Sequence, residues 1–212
     1  MSVEQTSNLE DQSTRLCQER VDRNAEDLLH PNVAAFLQAI AAAEGGGYDF
    51  KYGAVKGRRN DRWRFTDMST HPGPGIDGKS TAAGMYQITR PTWEHHGGKL
   101  GLCDFSPRTQ DLIAVEILHS LGVIAAIKEG EIAAAMPKAA RTWAALPKGP
   151  GQKNHYPSQR YMKFTSFLAA YLGAGGQVKK QQLTAARHGK PAATVSAVTK
   201  AGRGRSSVRS AG

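Results

Sequence analysis

Residues 45 to 89 cannot form an α-helix, yet they lie between segments with a clear helical period. The stretch holds nine glycines and two prolines, which respectively loosen and break a helix. Its apolar residues alternate over short pieces such as "RWRFTDM" and do not recur at every third or fourth position. It reads as loops with one or two small β-hairpins. A plain helical bundle is thereby excluded. The expected class is α+β, mostly α, with one or two small β-hairpins in an irregular stretch set between helices.

Before this stretch, Asn32 is expected to cap a helix in which Val33, Phe36, Leu37 and Ile40 share one face. "FLQAIAAAEGGG" carries that helix to Glu44, and Gly45, Gly46 and Gly47 stop it, since glycine tolerates the left-handed conformation beyond a helix end. At about 100° per residue, Glu44 lies roughly three turns plus 20° beyond Val33 and continues the buried stripe. Burial and the negative end of the helix both disfavour an ionised carboxylate there. An acid still protonated near neutral pH is what general-acid catalysis needs. The bland alternative is a glutamate that turns out to solvent.

Beyond residue 89 the helical period returns. Pro91 opens a short helix ending at Gly97 and Gly98. Ser106 and Pro107 form an N-cap and first-turn pair for a helix whose core face is Leu112, Ile113, Val115, Leu118 and Leu121. "EIAAAMPKAARTWAAL" reads as a helix bent or restarted near Pro137. "SQRYMKFTSFLAAYLG" reads as a last helix with Tyr161, Phe164, Phe167, Leu168 and Tyr171 at helical spacing, closed by Gly173.

Charge divides the chain into three parts. Of the net +10, residues 177–212 carry +8 from eight bases and no acid, and residues 1–31 carry −4, which leaves +6 on residues 32–176. The expected organisation is a polar, partly helical N-terminal extension over 1–31, a compact domain over 32–176 and a basic, disordered tail over 177–212. With 40% hydrophobic residues over its 212 positions the chain can bury one core, and a monomer is expected. The tail suits an anionic envelope polymer; a nucleic-acid partner has only the tail in its favour.

Several chemistries find no support. Cys17 and Cys103 have no CxxC or Cys/His companion and read as reduced thiols. His71, His95 and His96 lack the spacing of a metal site, so no metal or cofactor is expected. No GxSxG elbow accompanies Ser80 or Thr81. No run approaches the roughly 18 apolar residues of a membrane span, and the first 30 residues lack a signal-peptide core, so a cytoplasmic product is expected.

"AAAEGGGYDF", "FTDMSTHP", "STAAGMYQI", "LGLCDFSPRTQD" and "TWAALP" occur in this order over residues 32–176. Together they resemble the lambda-type phage endolysins, lysozyme-like lytic murein transglycosylases. The resemblance implies a lysozyme-like fold with a cleft between a helical lobe and a small β-hairpin lobe, and cleavage of the MurNAc–GlcNAc β-1,4 bond of peptidoglycan glycan strands, leaving a 1,6-anhydromuramic end. It implies no cofactor, and holin-dependent release from the host cytoplasm. Carried over, the catalytic glutamate is Glu44, the acid after the first loop is Asp49, and the glycan-contacting pair is Tyr86 and Gln87, with Gly84 letting the backbone approach a sugar. One departure is visible: "GPGQKNHYP" has Pro150 before Gly151 and Gln152 where the family has an aromatic, and Tyr156 is the nearest substitute.

The residues themselves leave alternatives open. Trp63, Trp93 and Trp143 suit either the core or a sugar face, and Trp93 is the preferred cleft residue. Asp49, Asp61, Asp67 and Asp77 all fall in the irregular segment, so a hydrolytic lysozyme using a second carboxylate stays open. Asp67 reads as a turn-shaping acid. A virion-associated lysin and a noncatalytic wall-binding module are further alternatives.

Overall fold

The computed structural model describes residues 3–179, with side chains from residue 10 onward. Seven helices lie among them: α1 (Val3–Leu29), α2 (Pro31–Glu44), α3 (Arg90–Leu100), α4 (Pro107–Ser120), α5 (Ile124–Lys128), α6 (Ile132–Thr142) and α7 (Phe164–Gly173).

α4 is the axis of the domain. Ser106 caps it by accepting from the Thr109 amide at 3.3 Å, and Pro107 sits in its first turn, as expected. Its residues are buried almost continuously from Leu112 to Leu118, so neighbours cover it on all sides. α2 and α7 pack together through Phe36 and Phe167, whose rings meet edge to face with centroids 5.2 Å apart. α6 runs through Pro137 as one helix, because Ile132, Ala135, Met136, Ala139 and Ala140 anchor it to the core on both sides of the proline.

Several boundaries differ from the sequence reading, each because a tertiary partner wins. α2 starts at Pro31, with His30 as its cap accepting from the Asn32 backbone N–H, so Asn32 does not cap it; the Asn32 side-chain amide instead donates to the Lys128 carbonyl at 2.8 Å. α3 passes Gly97 and Gly98 and ends at Gly101. α7 begins only at Phe164, since the Met162 amide donates to the Ala145 carbonyl at 2.8 Å and takes residues 158–163 out of the helix.

The expected β-hairpin lobe is replaced by three isolated antiparallel bridges, Phe50 with Arg64, Lys51 with Ala83, and Ala83 with Ile88. Aspartates compete with a ladder for the backbone amides. Asp61 accepts from the Trp63 amide at 2.9 Å and the Val55 amide at 2.8 Å, and Asp77 from those of Lys79 at 3.0 Å and Ser80 at 2.8 Å. Asp67 does the same for Ser69 at 2.9 Å, a turn acid as its sequence suggests.

Both ends of the described chain are tied to the domain. α1 docks through polar groups: fully buried Asn24 donates to Leu112 O and Glu116, Arg23 pairs with Glu116 at 2.7 Å, and Asp27 is held by His119 at 2.6 Å and by Lys128. Residues 177–179, assigned to the tail by composition, are bonded to the fold: the Gln177 amide donates to Asn32 Oδ1 at 2.7 Å and the Lys179 amide to the Gly130 carbonyl. Composition cannot show such partners. The rest of the expected tail lies outside the described residues.

Candidate active site

Glu44 is the last residue of α2, and Gly45 directly after it takes φ +66° and donates its amide to the Ala41 carbonyl. The next residue has no room for a side chain, since a Cβ on Gly46 would lie 2.4 Å from the Met85 carbonyl oxygen. The chain therefore leaves α2 and lies directly against the backbone of Gly84 and Met85, and Glu44 comes to the wall of a cleft of about 460 Å³. The cleft runs between residues 50–54 and 80–89 on one side and Thr142, Trp143, Ala144 and Gln159 on the other.

Burial raises the pKa of Glu44 from 4.5 to about 7, and one hydrogen bond from the Ala145 amide to Oε1, at 3.3 Å, pulls weakly the other way. No charged group contributes to the shift. Its other oxygen has no protein partner among the described residues. Glu44 is the only acid among the described residues lining the cleft. The group can thus give up a proton near neutral pH and take one back.

The other aspartates face different duties. Asp49 is gripped by Arg64, whose Nε and Nη2 approach Oδ2 at 2.7 and 2.5 Å, and it is not in the cleft lining. Asp61, Asp67 and Asp77 are committed to the turns described above, and each has its pKa lowered chiefly by hydrogen bonds there.

Of the sequence-selected residues, the structure brings Glu44 and Gln87 together in the cleft. Gln87 adopts φ +49°, an uncommon backbone for a non-glycine residue, and its side-chain amide donates to the Gly84 carbonyl at 3.1 Å. The Tyr86 side chain turns inward instead: it is 5% exposed, and its hydroxyl donates to Asp111 Oδ1 at 2.7 Å. Gly84 makes its close approach to a protein side chain, because a Cβ there would lie 2.2 Å from Gln110 Oε1. Trp93 lies outside the lining; its indole N–H donates to the Asp104 carbonyl at 2.9 Å and its ring packs near His71. Trp143 is the tryptophan at the cleft, tied by its indole to the Tyr86 carbonyl at 3.1 Å. Tyr156 is occupied in donating to the Arg141 carbonyl at 2.6 Å.

Gln110 and Asp111, neighbours on α4, set the positions of these loops. Gln110 is fully buried; it accepts from the Met85 amide at 2.9 Å and donates to the carbonyls of Tyr48 at 3.0 Å and Phe105 at 2.8 Å. Asp111 receives the hydroxyls of both Tyr48 and Tyr86. Burial raises its pKa, and the two phenols restrain the rise. Burial, followed by the negative charge of Asp111, pushes the Tyr48 hydroxyl up to about 12, so it stays a donor. Sequence reasoning found neither residue as part of the site. The available signal was a polar pair, "QD", directly ahead of the run from Leu112 to Leu118, which is buried throughout.

Among the described residues, no three His, Cys, Asp or Glu side chains gather as a metal site.

Comparisons with known proteins place the chain in a family. Residues 34–178 match the family model Endolysin. The chain is 34% identical over 163 residues to the endolysin of Escherichia phage lambda, covering 69% of this chain and 92% of that one. It is 35% identical over 145 residues to the endolysin of Escherichia phage P2, covering 59% and 86%. A solved structure of bacteriophage lambda lysozyme complexed with a chitohexasaccharide superposes with a TM-score of 0.60 at 31% identity, covering 71% of this chain and 98% of that chain. The fold is thus lambda-lysozyme-like and mostly helical, and the chain belongs to the Endolysin family.

Proposed function

We propose that this chain cleaves the MurNAc–GlcNAc β-1,4 bond of peptidoglycan by lytic transglycosylation, with Glu44 as the one proton-transferring group. Membership of the endolysin family makes it a cell-wall-degrading lysin that breaks a glycosidic bond. The observation that carries the finer reading is the solitude of Glu44, the one acid lining the cleft among the described residues. Hydrolysis by two carboxylates needs a second acid close enough to act as nucleophile or base. The nearby aspartates are held by Arg64 or by turn amides.

A single carboxyl group suffices for the intramolecular route. Protonated Glu44 gives its proton to the glycosidic oxygen, the muramyl C1–O bond breaks, and its electron pair stays with the departing GlcNAc oxygen. The acetamido group of the muramyl residue stabilises the positive charge at C1. Glu44, now ionised, takes the proton of the muramyl C6 hydroxyl as that oxygen bonds to C1. The 1,6-anhydro ring closes, Glu44 regains its proton, and no water is consumed. A pKa near the working pH favours both steps.

In this reading Gln87 and the Trp143 wall contact the glycan directly. Asp49, Tyr86 and Gly84 act at one remove, by fixing Arg64 and the loops around Glu44, and Trp93 supports the segment behind them. The protein stays in the host cytoplasm until a holin opens a path to the wall. No helix among the described residues is long and apolar enough to cross a membrane.

Mass spectrometry of muropeptides released from purified peptidoglycan in 18O water tests the reaction. Anhydromuropeptides free of 18O are expected. Reducing muramic ends carrying 18O at C1 would overturn transglycosylation in favour of hydrolysis.

A further inference from the structure

One rim of the cleft carries most of the domain's surplus charge. Residues 49–64 hold six bases and two acids, a net +4 out of the +6 on residues 32–176. Arg64 is taken by Asp49. Lys56, Arg58, Arg59 and Arg62 are exposed and make no ion pair among the described residues. The guanidinium of Arg62 lies over the Trp63 ring, 4.7 Å from its centre, which orients it without neutralising it.

The segment is held in shape. The Asp61 carboxylate bonds the amides of Val55 and Trp63, and the Arg58 amide donates to the Val55 carbonyl at 3.1 Å. Residues 55–61 are therefore a closed loop, with its neck tied and three of these bases on its exterior. The preceding residues Lys51, Tyr52, Gly53 and Ala54 line the cleft itself. Tyr52, 44% exposed, and Ile76, 57% exposed, lie beside the neck and offer apolar surface next to the charge.

A glycan backbone of N-acetylated sugars gives such a rim nothing to pair with, whereas the peptide stems of peptidoglycan carry free carboxylates and leave the glycan at every muramyl residue. We propose that the loop of residues 55–62 binds the carboxylates of the peptide stems while the glycan occupies the cleft, through Lys56, Arg58, Arg59 and Arg62. This inference rests on the peptidoglycan reading and narrows the substrate to glycan whose stems keep their charge. The bases act on substrate affinity and leave proton transfer to Glu44.

The test uses the full chain and its R58Q/R59Q/R62Q variant, with R58K/R59K/R62K as a charge-preserving control. Soluble muroglycan with native stems is compared with the same material amidated by carbodiimide and ammonia, across a salt series. Sedimentation with native and amidated walls reports binding separately from cleavage. At low salt the glutamine variant should show a KM on native muroglycan raised about tenfold with kcat retained, as expected for three exposed, salt-screened contacts. The lysine variant should restore KM, and on amidated muroglycan all three proteins should agree. Equal KM on native stems, or a gap that persists after amidation, overturns the inference. So does a variant that loses only its binding to phosphatidylglycerol vesicles, which would assign the loop to a lipid surface. Matching thermal midpoints show that folding is intact. Wall binding that follows the charges in a protein unable to cleave would uphold this inference and overturn the catalytic reading.

Discussion

The helical part of the domain and the stretch from Gly45 to Thr89 are held together by different physics. In the helical part, Phe36, Ile40, Leu112, Ile113 and Phe167 are at most 1% exposed, and apolar volume decides the structure. In the irregular stretch, carboxylates catch backbone amides, and three isolated bridges stand in for a sheet. Glu44 is placed where one regime gives way to the other. The helix brings it to the cleft, while the polar loops leave it without a charged partner. A core made only of apolar contacts would have no open cleft, and a loop region alone would not hold a carboxyl group away from water.

The largest test of this contrast is volume. Phe167→Ala empties a site filled against Phe36 and should lower stability by about 3–5 kcal/mol, read by urea or thermal unfolding. A small loss there would mean that apolar packing is not what holds the helical part.

Glu44→Gln comes next. Cleavage should fall at least ~10²-fold, the loss expected when a general acid disappears. The fold should survive, and the sign of the stability change depends on pH. A carboxyl group whose folded pKa is raised contributes stability that is present below 4.5 and is lost as pH rises through about 7. The variant should therefore gain thermal stability over wild type across that window and hold the gain above it. A folded Glu44→Gln protein that still lyses walls at the wild-type rate removes Glu44 from the mechanism.

The smallest effect belongs to the loop regime. Asp61→Asn keeps the shape of the side chain but sets an amide group against one of two backbone N–H donors, which should destabilise the loop by less than Phe167→Ala costs the core. Hydrogen exchange should quicken at Val55 and Trp63 and leave α4 untouched. Global destabilisation would show that the two regions do not separate as described.

Sequence reasoning could read what depends on local pattern. The periodicity of α2 and α4, the glycine stop after Glu44, and the Ser106–Pro107 start of α4 are visible as residue types at fixed spacing. The half-buried acid at the end of α2 follows from the same arithmetic. What depends on distant partners was hidden. Asn32 looks like a cap, yet Lys128 and Gln177, about 100 and 145 positions away, claim its side chain. The α5 helix is five residues long and has no pattern of its own. Tyr86 sits beside Gln87 in the chain, but the carboxylate of Asp111, 25 residues on, turns it inward. Alternating residues near Trp63 suggest strands; the aspartates that interrupt the ladder do so through hydrogen bonds that alternation does not encode.

The central claim is that burial at this junction keeps Glu44 protonated until about pH 7, where it can both give and accept a proton. The pH dependence of kcat/KM on soluble glycan fragments, followed from about pH 5 to 9, tests it most directly. The account predicts that activity falls with the loss of a single proton, centred near 7, because only the protonated acid can assist the departure of the glycosidic oxygen. A decline already complete just above 4.5, the ordinary value for this side chain, would contradict it.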